Sequence, residues 1–159
     1  MPNLQKFTSD GSYSIRRARS ADFAEIVALL RDDPLGKQRE SSNWSVYHAA
    51  FEEITQDPNQ FLAVVVNDQA AIVGTMQLTL IPGLSRGGTK RLQIEGVRIA
   101  ASVRGAGLGS AMLQWGHQYG RDHGASLVQL TSDKTRPDAL RFYTSHGYVP
   151  SHEGFKLSL

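Results

Sequence analysis

Leu92-Gln93-Ile94-Glu95-Gly96-Val97-Arg98-Ile99 leads, through residues 100–103, into Arg104-Gly105-Ala106-Gly107-Leu108-Gly109-Ser110, and this stretch decides how the chain folds. Its first part reads as a strand. Its second part opens a helical run over 108–123, where Leu108, Ala111, Met112, Trp115 and Tyr119 recur at helical spacing. Glycines at a strand-to-helix junction let backbone N–H groups crowd round an anion. The helix N-terminus supplies unpaired donors and about half a positive charge, and Arg104 adds a whole one. The chemistry implies a phosphate-bearing ligand.

Inside the strand the alternation changes phase. Leu92 and Ile94 put the apolar face at even positions, whereas Val97 and Ile99 put it at odd ones. A regular strand facing one core cannot do this, because successive side chains alternate faces. Two readings stay open: a one-residue bulge near Glu95-Gly96, or a strand buried on both faces. A bulge turns backbone N–H groups out of the ladder and bends the strand away from its parallel neighbour. The slot so opened lies beside a C-terminal strand end and above a helix N-terminus, where ligands sit in α/β folds.

Further elements follow outward from this corner. Tyr13–Arg17 reads as a strand, and Ser20 is a candidate cap for a helix carrying Phe23, Ile26, Val27 and Leu30. Asp32-Asp33-Pro34-Leu35-Gly36 breaks the chain, and a second helix over about 43–55 places Trp44, Tyr47, Phe51 and Ile54 on one side. Residues 61–66 and 71–81 form strands around an Asn67-Asp68 turn, with Gly74 marking a bulge, and 82–88 form a loop. Gly124 closes the long helix and 127–130 is a strand. Thr135, Pro137 and Asp138 start a last helix with Leu140, Phe142 and Tyr143, after which 148–149 and 155–159 read as final strands. The helical crossover makes 92–99 and 127–130 parallel, and the strands before them antiparallel. The expected class is α/β, with a mixed, mostly antiparallel sheet and flanking helices. Residues 1–12 read as a short polar lead-in and 13–159 as one domain.

Composition narrows the function. At 159 residues, 40% hydrophobic and 20% charged, the chain has the make-up of a soluble globular domain with a real core. A net charge of +2 with dispersed Lys and Arg argues against a nucleic-acid partner. The absence of cysteine excludes disulfides, thiolate metal sites and a cysteine nucleophile. His48, His117, His123, His146 and His152 show no metal-ligand spacing. No apolar run nears the ~20 residues of a membrane span, and the N-terminus lacks an apolar signal core, so the expected location is the cytoplasm without membrane contact.

Two familiar phosphate motifs do not fit the glycine turn. A P-loop needs Lys then Ser or Thr after its last glycine, and here Ser110 is followed by Ala111. The dinucleotide fingerprint needs Gly-x-Gly-x-x-Gly, but Gly105, Gly107 and Gly109 alternate. Arg-x-x-Gly-x-Gly, from Arg104 through Gly107 to Gly109, resembles the acyl-CoA pyrophosphate loop of the GCN5-related N-acetyltransferases, the GNAT family. Ala139-Leu140-Arg141-Phe142-Tyr143-Thr144-Ser145-His146-Gly147-Tyr148 is similar to the family's helix with Ala-x-x-x-Tyr and a Gly-aromatic end. Val97-Arg98-Ile99 is similar to its strand before the turn. The resemblance spans nearly everything from Ser14 onward and is specific over 92–149. It departs at Ala101, where proline is common, and at Arg136, where the family often has Asn.

This resemblance implies an acyl-CoA N-acyltransferase fold with a splayed parallel strand pair, and acetyl-CoA as cosubstrate without a metal. It implies an acceptor that is a small-molecule amine or a protein amino group, and a homodimer is one open assembly. Val97, Arg98 and Ile99 would lie along pantetheine. Arg104, Gly105, Ala106, Gly107, Leu108, Gly109 and Ser110 would hold the pyrophosphate, and Arg136 would reach a phosphate or a pantetheine carbonyl. Three chemical needs follow: a neutral amine, although its pKa is roughly 10.4, donors for an oxyanion, and a proton for the departing thiolate. Glu95 is the candidate base, directly or through water, with a solvent-facing strand carboxylate as its plain alternative. The Val97 N–H is the candidate oxyanion donor. Tyr143, otherwise a core aromatic, is the candidate acid near the sulfur. Trp44, Tyr47 and His48 line the acceptor side or simply pack. A non-catalytic acyl-CoA-binding or regulatory module on the same scaffold is the competing reading.

Overall fold

The structure, a computed structural model, describes residues 5–8, 10–32 and 35–159. Asp33 and Pro34, two of the five residues of the expected chain break, lie outside the described residues, as do 1–4 and 9 of the lead-in. The chain forms two compact units, Met1–Gln129 and Leu130–Leu159.

The first unit is a six-stranded sheet in sequential order: β1 (Gln5–Lys6), β2 (Tyr13–Arg17), β3 (Gln60–Asn67), β4 (Ile72–Ile81), β5 (Arg91–Ile99) and β6 (Leu127–Gln129). The pairs from β1 to β5 are antiparallel, and β5 with β6 is parallel. The mixed sheet is therefore as the sequence implies. The polar lead-in differs from expectation, because Gln5 and Lys6 add an edge strand opposite Ile15 and Ser14.

Tight packing builds the two faces. Val64, Val66 and Ile72 meet Ala18, Ile26 and Leu29 from α1 (Phe23–Arg31) and its approach. On the opposite face lies α3 (Leu108–Asp122), with Met112 and Leu113 fully buried. Its Gly116 faces Met76 and Ile94, and a Cβ at Gly120 would stand 3.2 Å from Leu92 Cδ2, so small residues draw this helix onto β4 and β5. The close fit fixes where the helix N-terminus lies relative to the end of β5. Between α1 and β3 runs α2 (Trp44–Gln56), capped by Asn43, whose Oδ1 accepts from Ser45 N at 3.2 Å.

One expected cap is replaced. Ser20 does not cap α1; residues Ser20–Asp22 form a 3₁₀ turn, and Asp22 Oδ2 accepts from Arg19 N at 2.7 Å. Asp22 also accepts from both terminal nitrogens of Arg16 on β2, at 2.5 and 2.9 Å. Burial pushes the Asp22 carboxyl up, but Arg16 and the Arg19 amide more than offset this and hold it below its ordinary value.

The second unit carries α4 (Pro137–Ser145). Pro137 sits in the first turn as expected, yet Thr135 is not the cap: Asp133 Oδ1 accepts from Thr135 N at 3.0 Å, and Arg136 takes the cap position. The expected strands at 148–149 and 155–159 do not form among the described residues. Val149, Phe155, Leu157 and Leu159 are exposed, and Ser151 N bonds back to Val149 O in a tight turn instead of a ladder.

Candidate active site

The phase slip in β5 is a bulge. Glu95 pairs with Gln77 and Arg98 with Thr75, so Gly96 and Val97 together face Met76. Gly96 has φ +59°, the left-handed value that places glycine at the first position of such a bulge. The extra residue restores one apolar face: Leu92, Ile94, Val97 and Ile99 all turn toward the α3 side. Glu95 lies on the other face, exposed, beside Gln77. A second bulge near Gly74, at Val73 of β4, shifts the β3 pairing between Val65 and Val66.

The bulge adjoins an open edge. Parallel pairing with β6 covers only Arg91, Leu92 and Gln93, and β5 continues to Ile99 beyond it. Ala100 N donates across to Val73 O at 2.8 Å. Because neighbouring residues of a strand point their backbone groups to opposite edges, Ile99 directs its N–H and C=O toward the unpaired side. Such an edge accepts an extended ligand with its own amides.

From Ile99 the chain turns through residues 100–107 into α3. Gly107 is the cap residue, at φ +76°, and offers no side chain to the helix amides. Ala111 N bonds back to Gly107 O at 3.1 Å and closes the first turn of α3. The amides of Leu108 and Gly109 lie ahead of that bond, as at any helix start. Space is open above Gly105 and Gly107, and no atom lies within 4 Å of where a Cβ would stand. Gly105, Ala106 and Gly107 are exposed, and Leu108 is buried, so Leu108 can offer a ligand only its amide. An exposed glycine turn, a helix start without a side-chain cap and a nearby guanidinium suit a diphosphate.

The structure brings Glu95, Val97, Arg98, Ile99 and the 104–110 turn together along one strand and its continuation. Arg98 Nη1 donates to Val97 O at 2.9 Å. Arg104 donates Nε to Ile99 O at 3.1 Å and Nη2 to the Asp32 carbonyl at 3.3 Å. Asp32 lies 72 positions away in the chain, and no local signal announces that contact. Gln77, opposite Glu95, is the other neighbour that sequence reading missed; only the register reveals it.

In the second unit Tyr143 is half-buried on α4, its ring 5.3 Å from Phe142 and 5.7 Å from Tyr148. Burial, with Tyr143 beside it, pushes the Tyr148 hydroxyl up to about 12, so Tyr148 stays protonated at neutral pH. Arg136 is exposed at the start of α4. Phe23 gathers Trp44, Tyr47, His48 and Phe51, with the His48 ring 4.5 Å away. Trp44 remains 45% exposed, and Arg31 stands over its ring at 5.3 Å.

Two cavities lie elsewhere. One of about 330 Å³ is lined by Ile15, Arg17, Phe61 and Trp115, and another of about 410 Å³ by Ala28, Arg31, Lys37 and Trp44. Neither includes Glu95, Gly96 or the glycine turn. The open strand edge and turn are where backbone groups are available. Among the described residues no group of His, Asp and Glu could hold a metal ion, and no helix is long and apolar enough to cross a membrane.

Comparison with known proteins agrees with this fold. The sequence profile of the Acetyltransferase (GNAT) family matches residues 23–148. The chain is 26% identical over 145 residues to an aminoalkylphosphonate N-acetyltransferase of Salmonella typhimurium strain LT2, covering 91% of this chain and 90% of that protein. Among solved structures, a protein of Bacillus halodurans C-125 described as a transcriptional regulator is 42% identical, with a TM-score of 0.88 over 92% of this chain and 99% of its own. A Trypanosoma brucei acetyltransferase is 26% identical, with a TM-score of 0.75 over 92% and 99% of the two chains.

Proposed function

Because the chain belongs to the GNAT acetyltransferase family, we propose that it moves an acetyl group from acetyl-CoA to a primary amine of a small molecule or a protein. One observation carries this reading: the Gly96–Val97 bulge, the open β5 edge and the glycine turn form a continuous strip of available backbone. Pantetheine would pair along Val97 and Ile99, and the pyrophosphate would meet the amides of 105–110 with Arg104 alongside. Arg98 flanks that strip, and the family resemblance assigns Arg136 to a phosphate or a pantetheine carbonyl. The bulge leaves one residue outside the ladder, and the Val97 N–H is the donor assigned to the oxyanion.

In the reaction the amine nitrogen bonds to the acetyl carbon and the carbon–sulfur bond breaks. Glu95, directly or through water, takes the proton the amine loses. The departing sulfur takes one from Tyr143. Glu95 suits its part because it is exposed beside the bulge and has a carboxamide, Gln77, directly across the ladder. Preorganised backbone donors need no rearrangement as charge develops, which is where such sites gain most. The reading also places the protein in the cytoplasm, without a metal or a nucleic-acid partner.

The test is free-thiol release from acetyl-CoA against a panel of amines. The panel starts with aminoalkylphosphonates, because a relative is named for them, and extends to polyamines, amino acids, aminoglycosides and N-terminal peptides. Turnover on any of these supports the reading. A second reading, an acyl-CoA-responsive regulatory module, draws on the Bacillus halodurans protein described as a transcriptional regulator. Tight CoA binding without turnover on any acceptor would favour it.

A further inference from the structure

The turn that would receive the diphosphate has its own arginine directed elsewhere. Arg104 Nε occupies the carbonyl of Ile99 on the open edge of β5. The same guanidinium reaches the Asp32 carbonyl at 3.3 Å, and the Asp32 carboxylate lies 4.0 Å away. Asp32 is the C-terminal cap of α1, so one side chain joins the strand edge, the α1 end and the start of the turn. A guanidinium can bridge two carbonyls at once because its donors are set in a fixed fork, which a lysine ammonium lacks.

We propose that Arg104 is a gate on the open edge of β5, exchanging between the Ile99 and Asp32 carbonyls and a diphosphate on the 105–110 turn. The inference rests on the acyl-CoA reading above. Its energetics favour exchange. Both side chains of the Arg104–Asp32 pair are more than half exposed, at 52% and 57%, and the two hydrogen bonds go to neutral carbonyls. Exposed pairs of this kind are weak, whereas an arginine on a phosphate makes charge-assisted, often paired bonds. The diphosphate therefore wins Arg104, and its departure uncovers the Ile99 carbonyl for an amide of the pantetheine arm. The head of the cosubstrate thus opens the place for its tail. A thioester arm without the diphosphate meets a closed edge. Asp32 becomes a positioning residue, acting only through Arg104.

Calorimetric titration of pantetheine and of CoA tests this on the wild type, Arg104→Met and Asp32→Asn. The wild type should bind CoA, and its pantetheine affinity should rise several-fold when inorganic pyrophosphate is present. Arg104→Met should bind pantetheine several-fold more tightly than the wild type but CoA about tenfold more weakly, with no response to pyrophosphate. Asp32→Asn should shift pantetheine affinity in the same direction by about twofold. Acetyl-pantetheine turnover, measured in the same three proteins, should follow the pantetheine pattern and provides the second readout. Equal weakening toward both ligands in Arg104→Met, or pantetheine binding and turnover that no variant or pyrophosphate alters, overturns the gate while leaving the CoA site intact. Failure of the wild type to bind CoA overturns the site reading itself.

Discussion

The β5–α3 corner and the α1–α2 region solve different problems with different materials. At the corner, Leu92, Ile94, Leu108, Met112 and Leu113 are buried to 2% exposure or less, and the groups left available are mainly backbone. In α2 no residue is fully buried, and Trp44, Tyr47, His48 and Phe51 lean on the single ring of Phe23. A cosubstrate that is the same across a family can be gripped by main-chain geometry held rigid by a core. Under the proposed function, an acceptor that varies would be met by side chains on a lightly packed helix, where change disturbs little else. The Arg104–Asp32 contact links the two regions.

The sharpest test of this contrast is Gly107→Val. At φ +76° a β-branched residue is strained, and its side chain would enter open space above the turn rather than strike the protein. CoA affinity should fall at least about a hundredfold while thermal melting shifts only modestly; undiminished affinity by calorimetry would refute the placement. Glu95→Gln should lower kcat roughly a hundredfold, in the range of lost general-base catalysis. Because Glu95 is exposed, CoA affinity and melting temperature should hold steady.

Asp22→Asn probes the frame rather than the chemistry. It removes the buried partner of Arg16 and should destabilise by about 3 kcal/mol, a melting drop of roughly 10 °C. The pH dependence has a definite sign. The Asp22 pKa is depressed in the folded chain, so its contribution is present above the unfolded value of roughly 4 and is lost as pH falls through the folded one. The wild type should lose its advantage over Asp22→Asn in acid; parallel melting curves from pH 6 to 2 would contradict that. Tyr148→Phe gives the opposite window. With its hydroxyl raised to about 12, Tyr148 contributes stability that fades as pH rises from roughly 10 toward 12, and the ultraviolet absorbance change near that pH should lose one tyrosine in the variant. Trp44→Ala should have the smallest effect, a few-fold rise in acceptor KM with CoA affinity unchanged.

Legibility followed the range of the interactions. The phase slip was readable because Leu92, Ile94, Val97 and Ile99 cannot share a face without an extra residue, and the register decided for a bulge at Gly96 over a strand buried on both faces. The order of strands and helices was readable from local periodicity, and Pro137 and Gly124 marked helix ends where expected. Ser20 and Thr135 misled, because a hydroxyl near a helix start is only one of several acceptors. Asp22 won its position through Arg16 on β2, and Asp133 turned Thr135 aside. The apolar alternation of Phe155, Leu157 and Leu159 suggested a strand, yet alternation alone does not supply a hydrogen-bonded partner.

Sequence alone therefore determined what depends on neighbours within a few residues: the phase slip in β5, the glycine turn and the helix that follows it. Tertiary structure decided which partner each long side chain takes. An arginine with several rotatable bonds can reach many acceptors, and only the folded approach of α1 puts Asp32 beside Ile99 within the span of Arg104. Backbone conformation is constrained by local sterics, whereas side-chain partnership is a choice among groups that folding brings together.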